Sequence, residues 1–254
     1  MDKALNVLLI VVVAIGLVLR AMSGKRFPRN YIGKRLSQEE QRALNVGAIM
    51  AGVRTDMCNS LKTGKKVGAI TKTLNEWWEI NSSQTAVEAL DSLKYEGRHV
   101  DYDYILKNAA DAFASEPFGD YDSEALSNLK QALPELQARH FLAASSDSAG
   151  SPQGIVDFSE LSSISVAAWD MGRMVNVSRW CYEAGYISEA QAWEYIFFAR
   201  EESAALYADW SEFGKAYVLG RAMWGDHAML NDFMDMVETL LKNKRSPWLS
   251  VPLR

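Results

Sequence analysis

Apolar residues recur along most of this chain at intervals of three and four. No stretch alternates with period two for long enough to make a convincing strand, so helices are expected throughout. The first apolar run is different in kind. Ala4 to Leu19 is apolar apart from Asn6 and has no polar face. As a helix, Ala4 to Met22 would extend about 28 Å, close to the roughly 30 Å of a bilayer core. Residues 1–22 are therefore expected to form a transmembrane anchor. Lys25, Arg26, Arg29, Lys34 and Arg35 follow it, whereas only Lys3 precedes it, beside Asp2. Residues 23–36 thus read as a basic juxtamembrane segment against anionic headgroups, and the positive-inside rule puts the rest of the chain in the cytoplasm. The rival reading is a cleaved signal peptide, because Ala21-Met22-Ser23 has small-x-small spacing; it would make the protein periplasmic or secreted. Arg20 and the basic stretch argue against cleavage.

The pattern beyond is amphipathic. Ser37 with Glu40 fits a capping box, and Leu44, Ala48, Ala51 and Met57 continue at helical spacing. Thr63 to Lys66 reads as a turn. Trp77, Trp78 and Ile80 end one element. Asn81 or Ser82 caps the next helix, whose face is Ala86, Leu90 and Leu93 and which Gly97 ends. Tyr102 to Phe113 is expected to be a short helix, and Glu124 to Ala144 another, started or kinked by Pro134. The stretch 144–154 (ASSDSAGSPQG) has almost nothing to bury and reads as a flexible linker. Phe158 to Tyr182 reads as one helix. Ser188 with Gln191 and Asp209 with Glu212 open two more, and Pro247 stops the last. The fold expected for 37–254 is an all-α, compact multi-helix globular domain of two packed helical lobes sharing a core.

Composition narrows the function. The chain has 254 residues with a net charge of -5, which does not suit nucleic-acid binding by bulk electrostatics. Cys58 and Cys181 fit no disulfide framework and read as small buried hydrophobes in helices. The stretch from His99 to Asp103 has the form HxDxD, a weak metal pattern better read as a polar loop; no metal or cofactor is expected. No GxSxG, HExxH or phosphate-binding loop occurs.

The densest chemistry lies between Ala168 and Trp224. Trp169, Asp170 and Arg173 share a helix face with Val166 and Val177, and Asp170 can pair with Arg173 at i, i+3. Arg179 and Trp180 lie further along, Gly185 suits a left-handed helix end, and Trp193 follows. Beyond Trp210, a second face carries Phe213, Tyr217, Arg221 and Trp224. Gly220, costly inside a helix, implies a close contact there. The blocks WDxxR, RWxYxxGYISxxxAW, WxxF and YxxGRxxW, with the earlier LNEWWEINSSQTAVEALDSL…EGR and the late SPW, resemble the bacterial DUF1266 family over most of Ser37 to Trp248. The positions that match are Trp77, Gly97, Trp169, Asp170, Arg173, Arg179, Trp180, Gly185, Trp193, Trp210, Gly220, Arg221 and Trp224; Cys181 stands where glycine is common. The resemblance implies a domain of unknown function and supplies no catalytic residue.

Trp169, Asp170, Arg173, Arg179, Trp193, Trp210, Arg221 and Trp224 are the candidate site. They form either a buried polar network that specifies helix packing, with indole N–H groups on carbonyls, or a groove for an anionic ligand or a partner's acidic segment. The function expected is a membrane-anchored cytoplasmic protein-interaction domain, for instance a regulator or an immunity-type neutraliser of another protein. The alternatives are a binding protein for a small anionic ligand, or an enzyme using the Asp/Arg/Trp constellation.

Overall fold

A computed structural model describes residues 36–114, 121–142 and 157–254. The expected anchor at 1–22, nearly all of the basic segment at 23–36 and the linker at 144–154 lie outside the described residues. Every regular element among them is a helix, and none of these helices is long and apolar enough to cross a membrane.

The chain runs through α1 (Gln38–Asn45), α2 (Ala48–Arg54), α3 (Val67–Trp78), α4 (Ser83–Tyr95), α5 (His99–Lys107), α6 (Ala109–Ala114) and α7 (Ser123–Ala138). After residues 143–156 come α8 (Phe158–Ser163), α9 (Ala167–Glu183), α10 (Glu189–Leu206), α11 (Trp210–Trp224), α12 (His227–Lys242) and α13 (Pro247–Ser250). Local chemistry sets many of these starts. Ser37 with Glu40, Ser82 with Thr85 and Ser188 with Gln191 form reciprocal capping boxes. Asp209 caps α11 through the backbone N–H groups of Ser211 and Glu212, while Glu212 reaches Ala208 instead of completing the box.

The centre of the fold is α9. Every residue from Ala167 to Cys181 is buried, against α2, α3, α4, α5, α10 and α11. Helices before and after residues 143–156 contribute to one hydrophobic cluster, from Ala43 to Leu253. A helix enclosed on all sides should be apolar all round. This one instead buries Asp170, Arg173, Asn176, Ser178 and Arg179, so the core must contain their partners.

Several expected elements break where tertiary contacts overrule periodicity. The pattern from Leu44 to Met57 splits at Val46 and Gly47, because Asn176 donates to the Gly47 carbonyl and a Cβ there would lie 2.6 Å from Val175. The helix expected over Tyr102 to Phe113 starts earlier and is interrupted at Asn108, whose side chain bonds the Tyr104 carbonyl. Phe158 to Tyr182 divides at Ile164 to Val166: Asp103 accepts from the Val166 N–H, and the Tyr207 hydroxyl accepts from Ala168 while donating to the Ser165 carbonyl. The helix with Pro134 ends at Ala138 and carries the proline inside it. Pro247 does not stop α12, which ends at Lys242, but opens α13. Cys58 is buried as expected, but in the loop after α2 rather than in a helix; Cys181 is buried in α9. The HxDxD stretch is the first turn and a half of α5, not a loop.

Candidate functional site

The eight candidate residues do not form one site. Trp169, Asp170, Arg173, Arg221 and Trp224 come together where α9, α11 and the start of α5 meet. Gly220 allows that meeting: a Cβ there would lie 2.7 Å from the Trp169 Cβ, so α9 and α11 touch backbone to side chain. Arg179, Trp193 and Trp210 lie elsewhere.

Asp170 is the hub of the main cluster. Its carboxylate is fully buried. Oδ2 accepts from both the backbone N–H and the Nδ1 of His99, each at 2.8 Å, and Oδ1 accepts from Arg173. Burial pushes the carboxyl's pKa up, but the His99 bonds and the Arg173 charge outweigh that and hold it below its ordinary value. The same bond raises the His99 pKa against the opposing effect of burial.

Arg173 sits in a cage of three tryptophans. Its guanidinium carbon is 4.9 Å from the Trp169 ring centre, 5.5 Å from Trp224 and 5.7 Å from Trp78. These are cation–π distances, and the contact is strongest where water is excluded. Arg221 lies near Trp169 and Phe233 and donates to the Gly225 and Asp226 carbonyls and the Asp226 carboxylate. It therefore ties the left-handed turn at Gly225 and Asp226 to α11. Tyr217 packs edge-on against Trp169 at 5.1 Å. The expectation that each indole N–H finds a carbonyl is corrected here. Trp210 and Trp248 do so, on Val251 and Asn45. Trp180 donates to Asp56, and the buried Trp169 Nε1, Arg173 Nε and Tyr217 hydroxyl have no partner among the described residues.

Arg179 anchors a different structure. Fully buried, it donates to the carbonyls of Met57, Ser60, Leu61 and Lys62 in the loop between α2 and α3. Beside it Asp56 is also buried, near Arg54 and Lys65 and bonded to Trp180. Burial raises the Asp56 pKa in spite of these cations. Trp193 is half-buried beside Phe197 on α10. Trp210 stacks on Trp248 at 5.0 Å and 5°, which fastens the C-terminal segment to the core.

Sequence patterns alone miss His99, Arg98, Trp78 and Asp56. The available signal for His99 was Gly97. A Cβ there would lie 2.5 Å from both Asp170 Oδ2 and His99 Nδ1, so the glycine is what lets the two meet. Arg98, exposed, lies 5.3 Å from the Trp224 ring, and Trp224 is 44% exposed. Along the outer face of α5 an open groove of about 580 Å³ is lined by Val100, Asp101, Tyr104, Ile105, Lys107, Tyr121 and Asp122. Among the described residues no group of three His, Cys, Asp or Glu side chains is arranged to hold a metal ion.

An all-helical domain built around a buried aspartate–arginine–tryptophan network is the class that fold and site define. Residues 73–253 match the family described as "Protein of unknown function (DUF1266)", and the chain belongs to that family. The match begins at Thr73, within α3, and takes in every block that carries the resemblance. No curated protein and no solved structure matches the chain.

Proposed function

We propose that this protein is a membrane-tethered, cytoplasmic interaction domain that binds the acidic segment of a protein partner at the surface made by Arg98 and Trp224. One observation carries the reading: Trp224, 44% exposed, lies within 5.5 Å of two guanidinium groups, those of Arg98 and Arg173. Trp and Arg are the residues most enriched at binding hot spots, and a rigid indole held by cations is already ordered before a partner arrives. Arg173, Arg179 and Arg221 are buried and engaged, which favours a structural role for them, whereas Arg98 is exposed over the Trp224 ring and can meet a ligand. Exposed Val100 and Tyr104, on the next turns of α5, would extend the contact.

The apolar run at 4–22 would supply the tether, and Lys25 to Arg35 would lie on the inner leaflet. A regulator or immunity-type neutraliser of another protein is the concrete form this reading takes. The test is affinity capture of the full chain, tether included, from its native membrane, comparing wild type with Trp224→Ala and Arg98→Glu. A protein that co-purifies with wild type and is lost from both variants, with helicity unchanged, supports the proposal. Equal recovery from all three overturns it. A small anionic molecule recovered in place of a protein would favour the ligand-binding alternative.

A further inference from the structure

We propose that His99 makes binding of an acidic partner at the Arg98–Trp224 surface depend on pH, with tighter binding at mildly acidic than at mildly alkaline pH. The inference rests on the reading above and concerns the regulation of the same surface.

His99 follows Arg98 directly and opens α5. Its side chain is about one-quarter exposed, so its proton exchanges with solvent, while its Nδ1 is held 2.8 Å from the fully buried Asp170. Asp170 in turn pairs with Arg173, whose guanidinium lies 5.5 Å from Trp224. Arg98, His99, Asp170, Arg173 and Trp224 are therefore one connected group, and only His99 within it changes charge near neutral pH. Arg98, Arg173 and, when protonated, His99 face Asp170, and Asp103 and Glu202 also act on His99. Loss of the His99 proton therefore makes the ground next to Arg98 one unit charge less positive.

The charged groups around His99 favour the protonated form. Asp170 reaches it from α9, Asp103 from its own helix and Glu202 from α10, and together they move its titration upward against burial. On the other helices beside α5, Arg221 of α11 pairs with Asp226, Glu160 of α8 with Lys215, and Asp111 of α6 accepts from the Tyr121 hydroxyl. A neutral His99 can keep its Nδ1 proton on Asp170. The change is therefore electrostatic and does not require α5 to leave its place.

The test uses the full chain in nanodiscs and a fluorescein-labelled decaglutamate peptide as probe. Binding is measured between pH 6.0 and 9.0 for wild type, His99→Gln and Trp224→Ala. Glutamates stay ionised throughout, so the probe's charge is constant. Removing one unit charge from a partly hydrated cluster is expected to weaken wild-type binding about three- to tenfold as pH rises. His99→Gln, which keeps a donor toward Asp170, is expected to give a flat profile. A flat wild-type profile, with binding still lost in Trp224→Ala, overturns the pH dependence and leaves the surface standing. Binding unaffected by Trp224→Ala, or no binding at all, overturns both. NMR titration of the His99 ring in wild type gives a readout free of any variant: a midpoint at or below 6.5 sinks the proposal.

Discussion

Gly97 and Asp170 are in such close register that a methyl group on the glycine would lie 2.5 Å from the aspartate's Oδ2. Gly97→Ala is therefore expected to displace the carboxylate or the His99 ring and to cost about 1–3 kcal/mol, the usual range for overpacking. Gly220→Ala should also destabilise. There the clash is with the Trp169 Cβ, which no rotamer change relieves, but alanine recovers about 1 kcal/mol of helix propensity. Chemical denaturation gives both costs. Only Gly97→Ala should also shift the His99 titration, and an unshifted His99 would contradict the contact described here.

Asp170→Asn removes the carboxylate bonded to the Arg173 guanidinium in its cage. Taking away one member of a buried pair leaves the other charge uncompensated, at a cost of about 3–5 kcal/mol. The double variant Asp170→Asn with Arg173→Met should recover part of that loss. If it is no more stable than Asp170→Asn alone, the pair is not the source of the penalty.

The pair of His99 and Asp170 also sets a direction for stability against pH. The folded-state value of His99 is raised above its ordinary 6.5, so its contribution is complete below about that pH and is lost as pH rises through the raised value. The folded-state value of Asp170 is lowered below 3.8, so its contribution is complete above that pH and is lost as pH falls through the lowered value. Both are present between 3.8 and 6.5. The Tm advantage of wild type over His99→Gln should therefore shrink from pH 6 to pH 9. An advantage that grows over that range would reverse the assignment.

Arg179 organises the loop between α2 and α3, alongside the bonds from the Thr63 N–H to Glu183 and from Gln41 to the Cys58 carbonyl. Arg179→Met would strip the carbonyls of Met57, Ser60 and Leu61 of their shared donor, at roughly 2–5 kcal/mol. Arg179→Lys keeps the charge but cannot span several carbonyls with one planar fork. Hydrogen exchange should then rise between Thr55 and Lys66 before it rises in α9. Uniform loss of protection would mean that the loop and the core unfold together.

The parts of this fold legible in the sequence are the ones decided within a turn or two. The caps at Ser37, Ser82, Ser188 and Asp209, the left-handed Gly185 and the Asp170–Arg173 pair each depend on residues two to four apart. Gly220 is legible because a glycine inside a helix needs a reason, and Trp169 is that reason. The breaks at Gly47 and at Ile164 to Val166 are not legible, since Asn176, Asp103 and Tyr207 impose them from far along the chain. The candidate site divides for the same reason. Helical spacing puts Arg179 on the same helix as Arg173, but says nothing of the loop that Arg179 threads. It also gives no hint that His99, about seventy residues earlier, closes the network.

The three tryptophans around Arg173 have one more consequence. Boxes of electron-rich rings are how proteins capture quaternary ammonium groups and methylated lysines. This box comes with its guest covalently attached. The chain's own side chain fills the receptor, so a free cation would have to evict a guanidinium that is also tied to Asp170. The aromatic wealth that first draws attention to this segment is thus spent inward. Of the box itself, Trp224 is the most exposed wall.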